Sequence, residues 1–542
     1  MRITRPSPGG ARFNSPGQAK RSPGDDAAWD DKDRQLSLIA RNVSMDYAVV
    51  FVELVIGLVM LPFNTAHLGQ SAYGLWVLTA SITIYFSMLD LGYGAAMVKF
   101  AAQYRAHRDA TALNQVVSTI FFIFSAIGLA AYALAVLLAL NLESLFNVTP
   151  EQAATGQQVL LIISVYIALG FPFSVFGGIV NGFQRKYLNG TVAITTSIVV
   201  ALVNAAVLLA GYGLVELVAA TTTVRILSYF AYRLNAYRVF PALSVRAKHF
   251  RLSRLREVTG FSAFMLLIDL ANKLNYSTDT IVIGAFMTTA AVAIWAVAAR
   301  LIDLTQRLTD QLNGALFPVI VDSATLGQSE RLRKVFLQGT RLSLAMVIPI
   351  ACGLALMAGP LVHLWVGPAF AGSVPIIHIL AAVVIYRVGN ATATTLLKGA
   401  GHHRLLAFSN LAIGVMNLVL SLALVGRYGL VGVAIGTLIP LAAVSMFVLF
   451  PAACRRTQVS IGHALREAVW PALWPAMLMA AFLLISRELS GTGLAWIAVE
   501  AIAAGILYVA VFLGLAIRRE ERHWYLNKSR QLFRRPGIAA AV

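Results

Sequence analysis

The sequence predicts an all-α integral membrane protein of about fourteen transmembrane helices, arranged as two six-helix repeat lobes around a central cavity and followed by a C-terminal helix pair. Three observations carry that prediction. The 542 residues are 58% hydrophobic and only 12% charged, with a mean hydropathy of +0.74, whereas a soluble domain averages about 25% charged. Apolar runs near or above the roughly 20 residues that cross a hydrocarbon core about 30 Å thick recur along the chain. The basic residues between those runs fall almost entirely on one side of the membrane they imply.

In chain order, residues 1–42 form a tail in which Pro6, Pro8, Gly9, Gly10, Pro16, Pro23 and Gly24 are scattered among charges. Such a composition cannot bury a core, so the tail is expected to be disordered and cytoplasmic. No signal peptide is expected there. The first apolar run begins near Val43 and is long enough to span, unlike the ~7 to 15 apolar residues of a secretory signal. Spanning helices are expected at 43–62, 74–97, 115–140, 157–180, 191–211 and 214–234, then at 259–286, 290–318, 340–359, 373–396, 405–425, 429–452, 468–486 and 493–517.

The loops test this count, because a wrong number of helices would scramble the sides on which lysine and arginine fall. With the N-terminus inside, 36 of the 43 Lys and Arg residues lie in inside loops and tails or, as Arg233 and Arg341 do, at the helix ends that border them. Only Arg427 and Arg487 lie outside, and Arg225, Lys273, Arg300, Arg307 and Arg387 lie within helices. An even number of helices with both termini cytoplasmic follows. The basic linker 235–256 separates an N-lobe, 43–234, from a C-lobe, 257–455; helices 13 and 14 occupy 456–517, and a basic tail occupies 518–542. Repetition supports the division: Tyr212-Gly213-Leu214-Val215 with Thr221 recurs 216 residues later as Tyr428-Gly429-Leu430-Val431 with Thr437, each opening the sixth helix of its half. Two repeats of one orientation meeting at a central path are a recurring plan of secondary transporters.

The formal charge of +19 does not point to nucleic acid, since the bases sit between apolar runs rather than on one polar face. Cys352 and Cys454 form no disulfide framework or zinc pattern. There is no phosphate loop of the Gly-x4-Gly-Lys-Ser/Thr type, and Gly92-Tyr93-Gly94 lacks the third glycine and the strand of a dinucleotide site. The nine histidines form no His-Glu-x-x-His array, and His402-His403 read as a solvated turn. Neither enzyme activity, a cofactor nor a metal is expected.

Charge inside the membrane is the informative feature, because it costs on the order of 2.5–3.5 kcal/mol per residue and therefore faces a bundle interior or a watery cavity. Arg300, Asp303, Arg307, Asp310 and Gly314 share one helical face, and Asp269, Lys273, Tyr276 and Thr280 share another, with Asn272, Asn275 and Asp279 beside it. Arg225, Lys273, Arg300, Arg307 and Arg387 are the candidate cavity cations. Such a lining suits an anionic substrate, since arginine's planar fork matches phosphate and carboxylate. Glu53, Asp90, Asp269, Asp303 and Asp310 are the candidate coupling or cavity acids; a carboxylate removed from water could exchange protons and couple transport to a gradient. Pairing between helices is the structural alternative for each. Thr195, Thr196, Thr221, Thr222 and Thr223 could contact sugar, although helix-to-helix hydrogen bonding is the commoner use.

The run Leu68-Gly69-Gln70-Ser71-Ala72-Tyr73-Gly74-Leu75-Trp76, then Leu89-Asp90-Leu91-Gly92-Tyr93-Gly94 and Lys99-Phe100, resembles the opening of Wzx-type polysaccharide-biosynthesis flippases. These are lipid-linked oligosaccharide translocases of the multidrug/oligosaccharidyl-lipid/polysaccharide exporter superfamily. Asp279-x3-Ile283-Gly284 and Ala293-x-Trp295-x-Val297-Ala298-x-Arg300-Leu301 look like that family's seventh and eighth helices. The resemblance implies an inner-membrane protein that moves polyprenyl-pyrophosphate-linked O-antigen or exopolysaccharide units to the periplasmic leaflet by alternating access. Membrane lipid, a polysaccharide polymerase and other assembly proteins are the partners in keeping with it. The alternatives within the superfamily are a peptidoglycan lipid-precursor flippase and a cation-coupled multidrug exporter, the latter disfavoured by a lining with at least as many bases as acids.

Overall fold

The computed structural model describes residues 35–90, 92–253, 278–486, 493–517 and 522. Among these, regular structure is entirely helical, and eleven helical runs are long and apolar enough to cross a membrane. Two of the eleven are double length. Helix α1, Gln35–Phe86, is 52 residues long and passes through Gly69 at φ 73° and ψ 171°, which no helix contains. A continuous helix of that size would extend roughly 78 Å at 1.5 Å per residue, so α1 is two spans joined at a glycine. The same holds near Gly429, at φ 56°, where the chain turns back until Thr437 Oγ1 lies 3.5 Å from Asn417 Oδ1. The expected helix 259–286 lies mostly outside the described residues, and only its end, Thr278–Phe286, is seen.

Several expected boundaries shift for local reasons. The expected helix 74–97 is broken: α1 ends at Phe86, a 3-10 turn covers Ser87–Asp90, and α2 begins after Gly92, at φ 79°, to run over Tyr93–His107. The freed Gly94 N–H, in the first turn of the new helix, donates to the Asp90 carboxylate at 3.1 Å. Asp109 caps α3, Ala110–Leu140, at the Ala112 N–H. Thr149 and Gln152 form a reciprocal capping box with Pro150 at the first position of α4, Pro150–Gly182. Next come α5, Lys186–Leu209, and α6, Leu214–Val239, with Gly211 at φ 80° between them.

The linker starts at Phe240, not at residue 235, because α6 continues to Val239. Its first part is tied to α3. Ser244, Arg246 and Arg251 donate backbone N–H groups to Asn114 Oδ1, Ser118 Oγ and Thr119 Oγ1 at 2.9, 3.2 and 3.0 Å.

The C-terminal half contains α7, Thr278–Phe286, α8, Thr289–Thr325, and α9, Ser329–Leu356. The expected helix 373–396 is interrupted at Asn390 into α10, Ser373–Gly389, and α11, Ala391–Gly399. Helix α12, His403–Val444, holds the Gly429 turn. The final pair, α13, Trp470–Ser486, and α14, Leu494–Val511, packs on α9, and the Tyr508 hydroxyl donates to the Ala472 carbonyl at 2.7 Å.

One apolar cluster joins the halves: Leu61, Leu78 and Ile82 of α1 pack with Val282, Ile283, Val292 and Trp295 of α7 and α8. It lies towards the end of the bundle that holds Gly69. There the Trp365 indole donates to the Leu58 carbonyl at 3.0 Å, Gln70 Nε2 donates to the Ala369 carbonyl, and Asn147 N–H to the Gly284 carbonyl at 3.0 Å. Gly74 lies so close to the Thr289 carbonyl that a side chain there would collide with backbone. Three other clusters each belong to one half: one within residues 89–245, a small one of Leu75, Val159, Leu214 and Val218, and one within 316–464. Among the described residues the halves are therefore joined at one end and have separate cores towards the other. Large apolar side chains such as Leu129, Leu202, Phe447 and Leu515 are 65–75% exposed, which lipid tolerates and water does not.

Candidate functional site

Three neighbouring cavities run across the junction of the halves. The largest, about 580 Å³, lies between α1, α4, α5 and α6 and includes Asn64, Tyr166, Asn204, Thr222, Arg225 and Arg300 in its lining. The second, about 280 Å³, lies between α1, α7, α8 and α10, and Asp279, Arg300, Asp303 and Arg387 line it. The third, about 270 Å³, belongs to the C-terminal half and includes Arg387, Asn390, Asn417 and Thr437. Arg300 borders the first and second cavities, and Arg387 borders the second and third. Thus Arg225, Arg300 and Arg387, from three helices and both halves, sit along one polar path.

Helix α8 supplies the charged face because Arg300 and Asp303 are one turn apart and project into the same space. Asp303 is exposed within it. Arg387, near the C-terminal end of α10, donates from Nη1 to Gln306 Oε1 at 2.9 Å, which fixes its fork beside α8. Arg300 extends from α8 to Gly57 on α1, and the missing side chain at Gly57 makes the room for its guanidinium.

Other expected site residues are placed differently. Arg307 and Glu53 form an ion pair between α8 and α1 at 3.4 Å, each about half exposed at 50% and 43%. The Asp90 carboxylate accepts from the Gly94 N–H in the first turn of α2. Asp269 and Lys273 lie outside the described residues, as does the side chain of Asp310. Thr221 and Thr223 donate their hydroxyls to carbonyls of their own helix, those of Leu217 and Ala219, rather than to a neighbour.

The structure adds a group that sequence reasoning placed only beside a polar stripe. Asp279 is 7% exposed and accepts from the Thr437 hydroxyl at 3.0 Å through Oδ2, while its Oδ1 has no partner. Asn417 and Ser421 stand next to Thr437 and share a 2.9 Å hydrogen bond. A buried carboxylate beside the Thr437 hydroxyl and the Asn417 amide is chemically suited to a proton or a monovalent cation. The 158 residues separating Asp279 from Thr437 hid it.

Helical spans, exposed apolar flanks and an internal charged path define a multi-pass membrane transport protein. The sequence profile of the family described as "Polysaccharide biosynthesis protein" matches residues 67–375, and the chain belongs to that family. It is 22% identical over 414 residues to "Probable flippase AglR" of Haloferax volcanii, covering 74% of this chain and 81% of that protein. Among solved structures it resembles "Lipid II flippase MurJ, inward closed conformation", with a TM-score of 0.70 and 15% identity over 88% of this chain and 99% of the other. An inward-facing multidrug MATE transporter is similar with a TM-score of 0.59 and 16% identity, over 78% and 98% of the two chains. At these identities the structural likeness concerns the fold: two packed halves of membrane helices.

Proposed function

We propose that this protein is a flippase that carries polyprenyl-pyrophosphate-linked oligosaccharide units, of O-antigen or exopolysaccharide, from the cytoplasmic to the periplasmic leaflet of a bacterial inner membrane. The observation that carries this reading is the convergence of Arg225, Arg300 and Arg387 on linked cavities between the two halves. A pyrophosphate is dianionic or more, and forked guanidinium groups from opposing halves grip it as the cavity changes the side to which it opens. The family of the chain and the flippase named among its relatives support a lipid-linked glycan as cargo. The basic bias of one set of loops supports cytoplasmic termini. Transport is driven without chemical transformation of the cargo, through a proton or cation at Asp279.

The test is replacement of Arg300 or Arg387 by alanine. Surface polymer should disappear while the protein stays in the membrane fraction at its normal level. Full display from both variants would overturn the role of the cavity cations. Loss of viability on depletion, in place of loss of polymer, would redirect the reading to a cell-wall lipid precursor.

A further inference from the structure

The 580 Å³ cavity differs in chemistry from the two beside it. Asn64 and Asn204 line it at only 5% and 4% exposure, and the side-chain amide oxygen of each lacks a partner. Thr83 and Thr221 also line it, and their hydroxyls are already donated to the carbonyls of Ala80 and Leu217, so their oxygens are left to accept. No Asp or Glu is found among its described lining residues, and its ionised groups are Arg225 and Arg300. It also has the most aromatic lining of the three, where the second cavity has Tyr73 and Trp295 and the third has none. Tyr73, Trp76 and Tyr166 belong to its lining, and the Tyr166 ring is braced by Tyr229, stacked at 5.2 Å with the planes 1° apart.

Each feature narrows the occupant. A prenyl or acyl chain would leave the buried amides unsatisfied, which native structures avoid. A lipophilic cation would meet two arginines and no carboxylate. A sugar hydroxyl donates and accepts, so it satisfies an amide in either orientation, and the apolar face of a sugar ring lies on aromatic rings as other flat apolar surfaces do. The C-terminal cavity also holds an unpartnered amide oxygen, on Asn390, but it has no aromatic lining and less than half the volume.

We infer that this N-terminal cavity seats the glycan end of the substrate, with sugar hydroxyls on Asn64 and Asn204, a ring face on the aromatic wall and the pyrophosphate at Arg300 where the next cavity begins. The inference rests on the flippase reading and adds the division of the substrate between subsites. The probes are farnesyl pyrophosphate and the same molecule carrying N-acetylglucosamine, titrated against the full chain in nanodiscs. The wild-type protein should bind the glycosylated probe at least tenfold more tightly. The Asn64→Leu/Asn204→Leu double variant should bind both probes alike, with its affinity for farnesyl pyrophosphate unchanged. A preference retained by the double variant, or absent from the wild type, overturns the glycan subsite and leaves the flippase reading standing. Binding of neither probe by the wild type overturns the flippase reading as well. A second measurement does not depend on the variants folding: a diazirine on the sugar N-acyl group should label peptides within 56–84, 163–167 and 200–225, and labelling confined to 306–449 overturns the assignment.

Discussion

Gly57 offers a way to move Arg300 without removing its charge. A methyl group added at Gly57 would lie 2.6 Å from the Arg300 Cζ and 2.9 Å from its Nε, against about 3.5–4.0 Å for an ordinary contact. The obstructed group is the far end of a flexible side chain, and its Nη2 lies closer still, so the guanidinium withdraws by about 2 Å while the helices stay in place. Gly57→Ala should therefore fold, and the helix itself gains roughly 0.5–1 kcal/mol by losing an interior glycine. The functional cost comes from the displaced fork. A hydrogen bond to a charged group contributes about 1.5–3 kcal/mol, which corresponds to roughly 10- to 150-fold in affinity. Farnesyl pyrophosphate titrated against the variant in nanodiscs should show a loss in that range, with an unchanged or higher melting temperature. In an Arg300→Ala background the same Gly57→Ala change should have almost no further effect, because both act through one group. Binding within twofold of wild type, or an equal loss in both backgrounds, would refute the claim that Gly57 sets the position of Arg300.

Two further predictions concern movement and coupling. Gln70 meets the Ala369 carbonyl at the joined end of the halves, so a short bifunctional thiol cross-linker between Gln70→Cys and Ala369→Cys, in a chain lacking Cys352 and Cys454, should stop transport, and cleaving the linker should restore it; transport that continues when cross-linking is complete would mean this end does not open. Asp279→Asn keeps the shape of the buried group and removes its charge, so it should leave farnesyl pyrophosphate binding within about threefold while abolishing the response of transport to a proton or sodium gradient; a retained response to both gradients would remove Asp279 from the coupling step.

The membrane class, the helices and the division into halves were legible because each leaves a local trace: apolar length, basic loops, and the Tyr-Gly-Leu-Val repeat. Arg225, Arg300 and Arg387 stood out in the sequence for a similar reason, since an intramembrane arginine must offset its desolvation cost in any fold. Charge pairing was not legible. Glu53 and Arg307 are 254 residues apart, and no helical periodicity on either side reveals that α1 and α8 cross there. Asp90 is a different case: it lies between two apolar runs and reads as intramembrane, and Gly92 breaks the helix there so that its carboxylate accepts from the Gly94 N–H. Neutral residues were the largest gap. Asn64 and Asn204 carry no charge to mark them against an apolar background, and only the absence of partners in the folded chain gives them meaning.

Those asparagines also extend the repeat beyond its tyrosine-glycine turn. Thr221 and Thr437 are 216 residues apart, Asn204 and Asn417 are 213 apart, and Asn64 and Asp279 are 215 apart. All six are buried, and each half thus holds three polar stations in the same order at nearly the same spacing. The halves differ at one station, where the first has asparagine and the second aspartate. In the second half the carboxylate takes the Thr437 hydroxyl and creates a compact anionic pocket. In the first half, where Thr221 bonds a carbonyl of its own helix as Thr437 also does, the amide leaves the cavity open, uncharged at this station and bordered by arginines. In the proposed function, this one difference of residue type separates a half that seats the anionic, hydroxyl-rich cargo from a half that holds the coupling cation or proton. Arg300 and Arg387 lie on the cavities that connect the two, so in the proposed function the cargo site and the Asp279 pocket border one path.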